Sequence, residues 1–186
     1  MTGRIERLKQ EFDIGVEWKA FPLHPNTPAE GLALEELFNA PSEKITKMVS
    51  GLKQTAASLG LPFGDRTKTY NSRLAQELGL WAEDQNKGDQ FHQATFESYF
   101  VDGENLADHH VLLRLAAKVG LLEKEADVVL QTRSYADDVD AHWQEARQLG
   151  ITAVPTFLMG FNRVVGAQSY DALTDLVTMA GAARND

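Results

Sequence analysis

Five histidines, twenty-seven carboxylates and no cysteine set the chemistry open to this 186-residue chain. Without a thiol, these residues hold no disulfide, no thiolate metal ligand and no sulfur nucleophile. His109 and His110 follow Asp108, a cluster whose residue types suit a metal. Ligands on one helical face sit three or four residues apart, however, and adjacent histidines point in different directions. The pair reads as one exposed and one half-buried side chain, and no metal site is expected. His24 sits in a proline-dense loop near the expected sheet edge, where it can approach Pro155. A loop histidine is most often only solvated. No P-loop, nucleophile elbow, zinc-ligand spacing or paired dinucleotide glycines occur, so no cofactor and no catalytic residue is assigned. The most informative stretch is Gly150-Ile-Thr-Ala-Val-Pro-Thr-Phe-Leu-Met-Gly160, followed by Arg163-Val-Val-Gly-Ala-Gln168. Val154-Pro155 places a rigid peptide where a strand begins.

The elements that position these residues follow from periodicity. Phe157 to Met159 reads as a short buried strand, Gly160-Phe161-Asn162 as a turn, and Arg163 to Gly166 as the return strand of a β-hairpin. Ser169 caps a last helix carrying Leu173, Leu176, Val177 and Ala180. At the other end, Ile5, Leu8 and Phe12 mark an amphipathic helix over residues 3–12. Val16-Glu-Trp-Lys-Ala-Phe21 alternates apolar and polar like a strand, which Pro22 closes. Residues 30–131 are helical in pattern, with no clear strand. Ser42 is expected to cap a helix whose stripe is Ile45, Val49, Leu52, Ala56 and Leu59, stopped at Gly60. Further helices follow on Leu74, Leu78 and Trp81, and on Phe91, Phe96, Tyr99 and Phe100. Another opens at Asn105 with Asp108 three residues on, and one more covers residues 122–132. Asp137 and Asp138 suit the positive N-terminus of a helix bearing Val139, Trp143, Ala146 and Leu149. The tryptophans and the Phe91–Phe100 aromatics are expected in the core.

Composition narrows the partners. Hydrophobic content of 43% with 24% charged residues is that of a globular chain with one domain, or one domain carrying a large insertion. A net charge of −9 argues against nucleic acid, whose phosphates want a basic face. No apolar run approaches the roughly 20 residues that span a bilayer, so no membrane partner is expected. The first residues lack the apolar core of a signal peptide, which makes the cytoplasm the default location.

In element order and motifs the chain resembles the DsbA-like thioredoxin family, in particular its FrnE-like branch. Phe21-Pro-Leu-His-Pro25 with Pro28-Ala-Glu-Gly31 is similar to that branch's strand-exit segment. Asn71-Ser-Arg-Leu-Ala75 resembles its Asn-Thr-x-x-Ala-His motif, with Gln76 at the histidine. Phe96-Glu-Ser-Tyr-Phe100 and the helix opened by Asn105-Leu-Ala-Asp108 match a further block. Gly150 to Phe157 resembles Gly-Val-x-Gly-Val-Pro-Thr-Phe, with Ala153 replacing a glycine, and Gly166-Ala-Gln168 matches Gly-Ala-Gln. The resemblance implies an α/β, thioredoxin-like fold with its first strand missing from the chain and a large all-helical insertion. The thioredoxin-like domain would comprise residues 1–30 and 133–186, and the insertion residues 31–132. It also implies a cis bond before Pro155. Val154, Pro155 and Thr156, with His24 nearby, would be the substrate-binding residues, Val154 offering its backbone to an extended peptide.

The implied activity is thiol–disulfide exchange with a thiol- or disulfide-containing protein or peptide, although the family's Cys-x-x-Cys is absent from these residues. Two other readings stay open. One is a catalytically silent protein that binds an extended peptide or partner through Val154-Pro155. The other is a glutathione-dependent isomerase or transferase of the kappa-class type. Gln168 and Ser169 count against it, standing where those relatives carry Gly-x-Asp-Arg. In the family the missing strand lies between residues 16–21 and the Pro155 strand. Each buried unpaired backbone group costs roughly 1–3 kcal/mol, so something is expected to fill that position. An upstream segment, an element swapped from a homodimer partner, or rearranged strands would do so.

Overall fold

The computed structural model describes residues 2–185. In chain order the elements are α1 (Thr2–Glu11), β1 (Leu32–Ala33), α2 (Leu34–Phe38), α3 (Ser42–Ser58), β2 (Lys68–Thr69), α4 (Arg73–Asp84) and α5 (Gly88–Phe100). They continue with α6 (His109–Lys118), α7 (Glu123–Thr132), α8 (Ala136–Gln148), β3 (Thr156–Met159), β4 (Asn162–Val165) and α9 (Tyr170–Met179). The chain divides into two compact units. One takes the residues up to Leu23 and those from Ala141 onward; the other is His24–Asp140.

In the first unit β3 and β4 pair antiparallel, with Phe157 opposite Val164 and Leu158 opposite Arg163. The period of two turns Phe157, Met159 and Val164 inward onto a core of Leu8, Phe12, Leu173 and Val177 from α1, its exit and α9. The apolar spacing read from residues 3–12 and from Leu173 to Val177 is thus the contact between two helices and one sheet face. Ser169 caps α9, accepting from the Ala172 amide at 3.2 Å.

The segment 16–21 corrects the sequence expectation, because it is not a strand. Alternation selects a pleated conformation, but a strand exists only as part of a ladder, and no partner ladder forms among the described residues. Side chains hold it to α8 instead. Lys19 lies 2.6 Å from Glu17 and 3.4 Å from Glu145, and the Ala20 amide donates to His142 Nδ1 at 3.3 Å.

The second unit is built round Leu78, Trp81, Ala82, Phe91, Leu112, Leu115, Ala126 and Leu130, contributed by α4 to α7. Two further expectations change at helix starts. Pro41, not Ser42, is the N-cap of α3, and the Ser42 hydroxyl donates to Glu35 at 2.9 Å. Asp108 alone caps α6, accepting from the His110 amide at 2.8 Å, while Asn105 closes a local turn onto the Ala107 amide. The region also contains β1 and β2, paired antiparallel over two residues each, too short to leave a periodic signal. Of the α3 stripe only Ile45 is buried; Leu52 and Leu59 are 46% and 48% exposed. Trp81 and Phe91 are core, Trp18 and Trp143 half-buried, and Phe96 exposed. Among the described residues no helix is long and apolar enough to cross a membrane.

Candidate functional site

The site begins where α8 stops. Gly150 takes a φ of 63°, which an L side chain disfavours, and the Ile151 amide reaches back to Ala146 at 2.9 Å. The chain then reverses into the hairpin. The Val154–Pro155 peptide is cis. The Thr156 hydroxyl donates to the Ala153 carbonyl at 2.6 Å, folding residues 153–156 into a side-chain-closed turn. On its far side the Pro155 carbonyl accepts from Gly166 at 2.7 Å, so the proline is already tied to the end of β4.

This leaves one edge open. The sheet containing β3 has two strands among the described residues, and β4 occupies a single side of β3. Val154 is 44% exposed at the head of that edge, and its peptide N–H and C=O take no hydrogen bond among the described residues. Leu158 is 44% exposed beyond it. An edge of this kind offers main-chain donors and acceptors to an extended peptide, flanked by apolar side chains. Val154, Pro155 and Thr156 bring a backbone and a hydroxyl but no acid, base or nucleophile. Chemistry at this edge needs a reactive group from elsewhere.

His24, the fourth residue expected here, belongs to the other compact unit, where it is exposed and its carbonyl accepts from the Thr27 amide at 3.2 Å. Its loop is shaped by two asparagines. Asn71 Nδ2 donates to the carbonyls of Thr27 at 2.7 Å and Pro25 at 3.2 Å, and Asn105 Nδ2 donates to Ala29 at 2.8 Å. The motif containing Asn71 was visible in the sequence; its grip on the loop was not. His109 and His110 are both exposed, correcting the half-buried expectation for one of them, because the first turn of α6 faces solvent. No group of three metal-ligating side chains occurs among the described residues. Gln168 is used locally: its amide donates to the Val165 carbonyl at 2.5 Å, and its own carbonyl accepts from Arg4 at 2.7 Å.

A buried ion cluster escaped the sequence reading altogether. Glu77, 1% exposed, accepts from Arg73 at 2.6 Å and from two nitrogens of Arg133, each at 2.6 Å. Burial alone pushes its carboxyl up. The hydrogen bonds from Arg133 and Arg73 outweigh burial and hold it below the ordinary carboxylate value. The only sequence signal was an Arg–Glu spacing of four, which is commonplace on solvated helices.

Comparison with known proteins places this geometry. A DSBA-like thioredoxin domain matches residues 1–178. The Bacillus subtilis (strain 168) protein YwbO is 30% identical over 169 residues, covering 89% of this chain and 82% of that protein. A probable DsbA oxidoreductase from Streptomyces coelicolor, SCO1869, superposes with a TM-score of 0.87 at 26% identity, over 96% of this chain and 82% of that one. A 2-hydroxychromene-2-carboxylate isomerase shares the fold, with a TM-score of 0.73 at 17% identity over 96% of this chain and 85% of its own. Helices flanking the hairpin, the long helical insertion and these matches agree on one α/β frame, and the chain belongs to the DSBA-like thioredoxin domain family.

Proposed function

We propose that residues 1–186 supply the substrate platform of a DsbA-like thiol–disulfide oxidoreductase whose dithiol lies outside them. The observation that carries this reading is the free β3 edge, headed by Val154 and the cis Pro155 and lacking a strand partner among the described residues. Similarity to a probable DsbA oxidoreductase supports it. In the proposed reaction a thiolate attacks one sulfur of a substrate disulfide. A sulfur–sulfur bond forms as the substrate's breaks, and the displaced substrate sulfur leaves as a thiolate. A second thiolate of the enzyme then attacks the mixed disulfide, releasing the reduced substrate and leaving the enzyme's own disulfide. Val154 and Thr156 hold the substrate backbone beside β3; the partner is a protein or peptide bearing a disulfide.

The test is the intact mass of the protein purified from its source, with iodoacetamide labelling. The expected result is a mass above 20.6 kDa with reactive thiols. A mass of 20.6 kDa without labelling overturns the redox reading and leaves a silent binder of extended peptides. Glutathione as the substrate is disfavoured by Gln168, whose amide is engaged within the turn.

A further inference from the structure

Helix α3 is poorly covered within the helical unit. Of its 17 residues only Ile45 is buried, and Val49 and Ala56, half-buried on the same side, complete its inner face. Met48, Leu52 and Thr55, with Leu59 at the C-cap, form a second stripe, all four exposed. Residues three and four apart share a face of a helix, so these side chains line up. Thr55 is the one polar member, and its hydroxyl turns back onto the Gly51 carbonyl at 3.0 Å, leaving no unsatisfied donor on the stripe. Gly51 borders the stripe with nothing within 4 Å of where a Cβ would stand, so another backbone can come close there.

From Met48 to Leu59 the spacings are four, three and four, so the stripe reads the same from either end. A two-fold interface demands that property, because one patch meets itself. We infer that the exposed stripe of α3 docks a second copy of this chain, the two helices lying antiparallel. Met48 of each copy then meets Leu59 of the other, and Leu52 meets Thr55. The charges fit the same arrangement. Lys47 pairs with Glu43 and Lys53 with Asp65, both away from the stripe. Lys44, one turn before Met48, pairs with no carboxylate among the described residues. The last turn of α3 carries no basic residue, so its partial negative charge is uncompensated. Antiparallel docking sets the Lys44 ammonium of each copy beside that turn of the other; parallel docking would set two Lys44 side chains together. With a net charge of −9 on each copy, carboxylates are the chief obstacle to association, and residues 42–59 hold a single one, Glu43. The inference lies within the helical unit and is independent of any thiol chemistry.

Sedimentation equilibrium of the full chain over a range of concentrations tests it. The expected result is a reversible dimer of micromolar dissociation constant, because one helix pair buries less than the roughly 1,600 Å² of a standard interface. Leu52→Glu, a change at an exposed position, should weaken association by more than about tenfold, since each copy would bring an unpaired charge into the contact. Met48→Glu serves in its place if far-ultraviolet circular dichroism shows Leu52→Glu to be misfolded. Lys44→Glu should weaken the dimer by about threefold at low salt and less at high salt. Gln54→Glu, on the outer side of the helix, should leave it unchanged. Three results would overturn the proposal: a monomer at every concentration, a dimer indifferent to Leu52→Glu and Met48→Glu, or a monomer that sediments with anionic phospholipid vesicles and loses that binding in Leu52→Glu. The last would give the stripe to a membrane surface.

Discussion

The Gly166 amide donates to the Pro155 carbonyl at 2.7 Å, so the peptide at the head of β3 is tied across the hairpin to the residue that ends β4. Gly166 makes this bond with a φ of 90°, a conformation closed to most L residues. Space is not the obstacle, as the nearest atom to an added Cβ is the Gln168 side-chain nitrogen at 3.9 Å. Gly166→Ala should therefore cost about 1–2 kcal/mol through backbone strain alone. Urea denaturation measures it, and a loss below a few tenths of a kcal/mol would mean the hairpin end relaxes freely.

Acid should weaken the helical unit through Glu77. Its carboxyl is held below the ordinary 4.5 by Arg133 and Arg73 against the opposing effect of burial. A depressed carboxyl stabilises fully above 4.5, and the contribution disappears as pH falls through the folded value. The stability gap between the native chain and Glu77→Gln should thus be widest at neutral pH and shrink below pH 4.5. Urea midpoints across that range read it directly; a gap independent of pH would contradict the assignment.

Alkali acts at the same corner with the opposite sign. Burial, with the Asp84 carboxylate alongside, pushes the Tyr135 hydroxyl from 10.0 up to about 12. A raised value means the stabilisation is complete below pH 10 and disappears as pH rises toward 12. Tyr135→Phe should lose stability at neutral pH and show a shallower decline over that window. Parallel declines in the two proteins would show that Tyr135 ionises as it does in the unfolded chain.

Phe12 is 1% exposed between α1 and α9, with the Arg184 guanidinium 5.0 Å from its ring centre. Phe12→Ala removes a whole aromatic from the smaller of the two cores and should cost about 3–5 kcal/mol. Thermal unfolding followed by near-ultraviolet circular dichroism would register the loss, while Phe12→Leu should retain most of the stability.

Asn71 offers a sharper test of geometry than of stability. Asn71→Ala loses two donations to loop carbonyls and should cost about 1–2 kcal/mol. Asn71→Asp is nearly the same shape but turns an acceptor toward those carbonyls, so it should be worse than alanine. Limited proteolysis at residues 24–29 reports both.

Most helices could be read from the sequence because an apolar stripe at a period of 3.6 is a local property. The stripes of α1, α4 and α9 became part of the two cores. The α3 stripe shows the limit of that reading: periodicity announces an apolar face, yet cannot say that Leu52 and Leu59 find no cover. Residues 16–21 failed for the complementary reason, since a strand needs a neighbour that no local pattern guarantees. The strand start at Thr156 and the hairpin after it were legible because a proline at a strand start is distinctive. Glu77 was hidden because its partner Arg133 is fifty-six residues away.

Asn71 and Asn105 hold the proline-dense loop entirely through its carbonyl oxygens at Pro25, Thr27 and Ala29. Every amino acid has a carbonyl, so these grips are blind to what the loop residues carry. The exposed side chains of His24, Asn26 and Ala29 are therefore not read by these bonds, whereas Thr27 is itself buried and the prolines set the backbone. The architecture separates what is free to drift from what must stay.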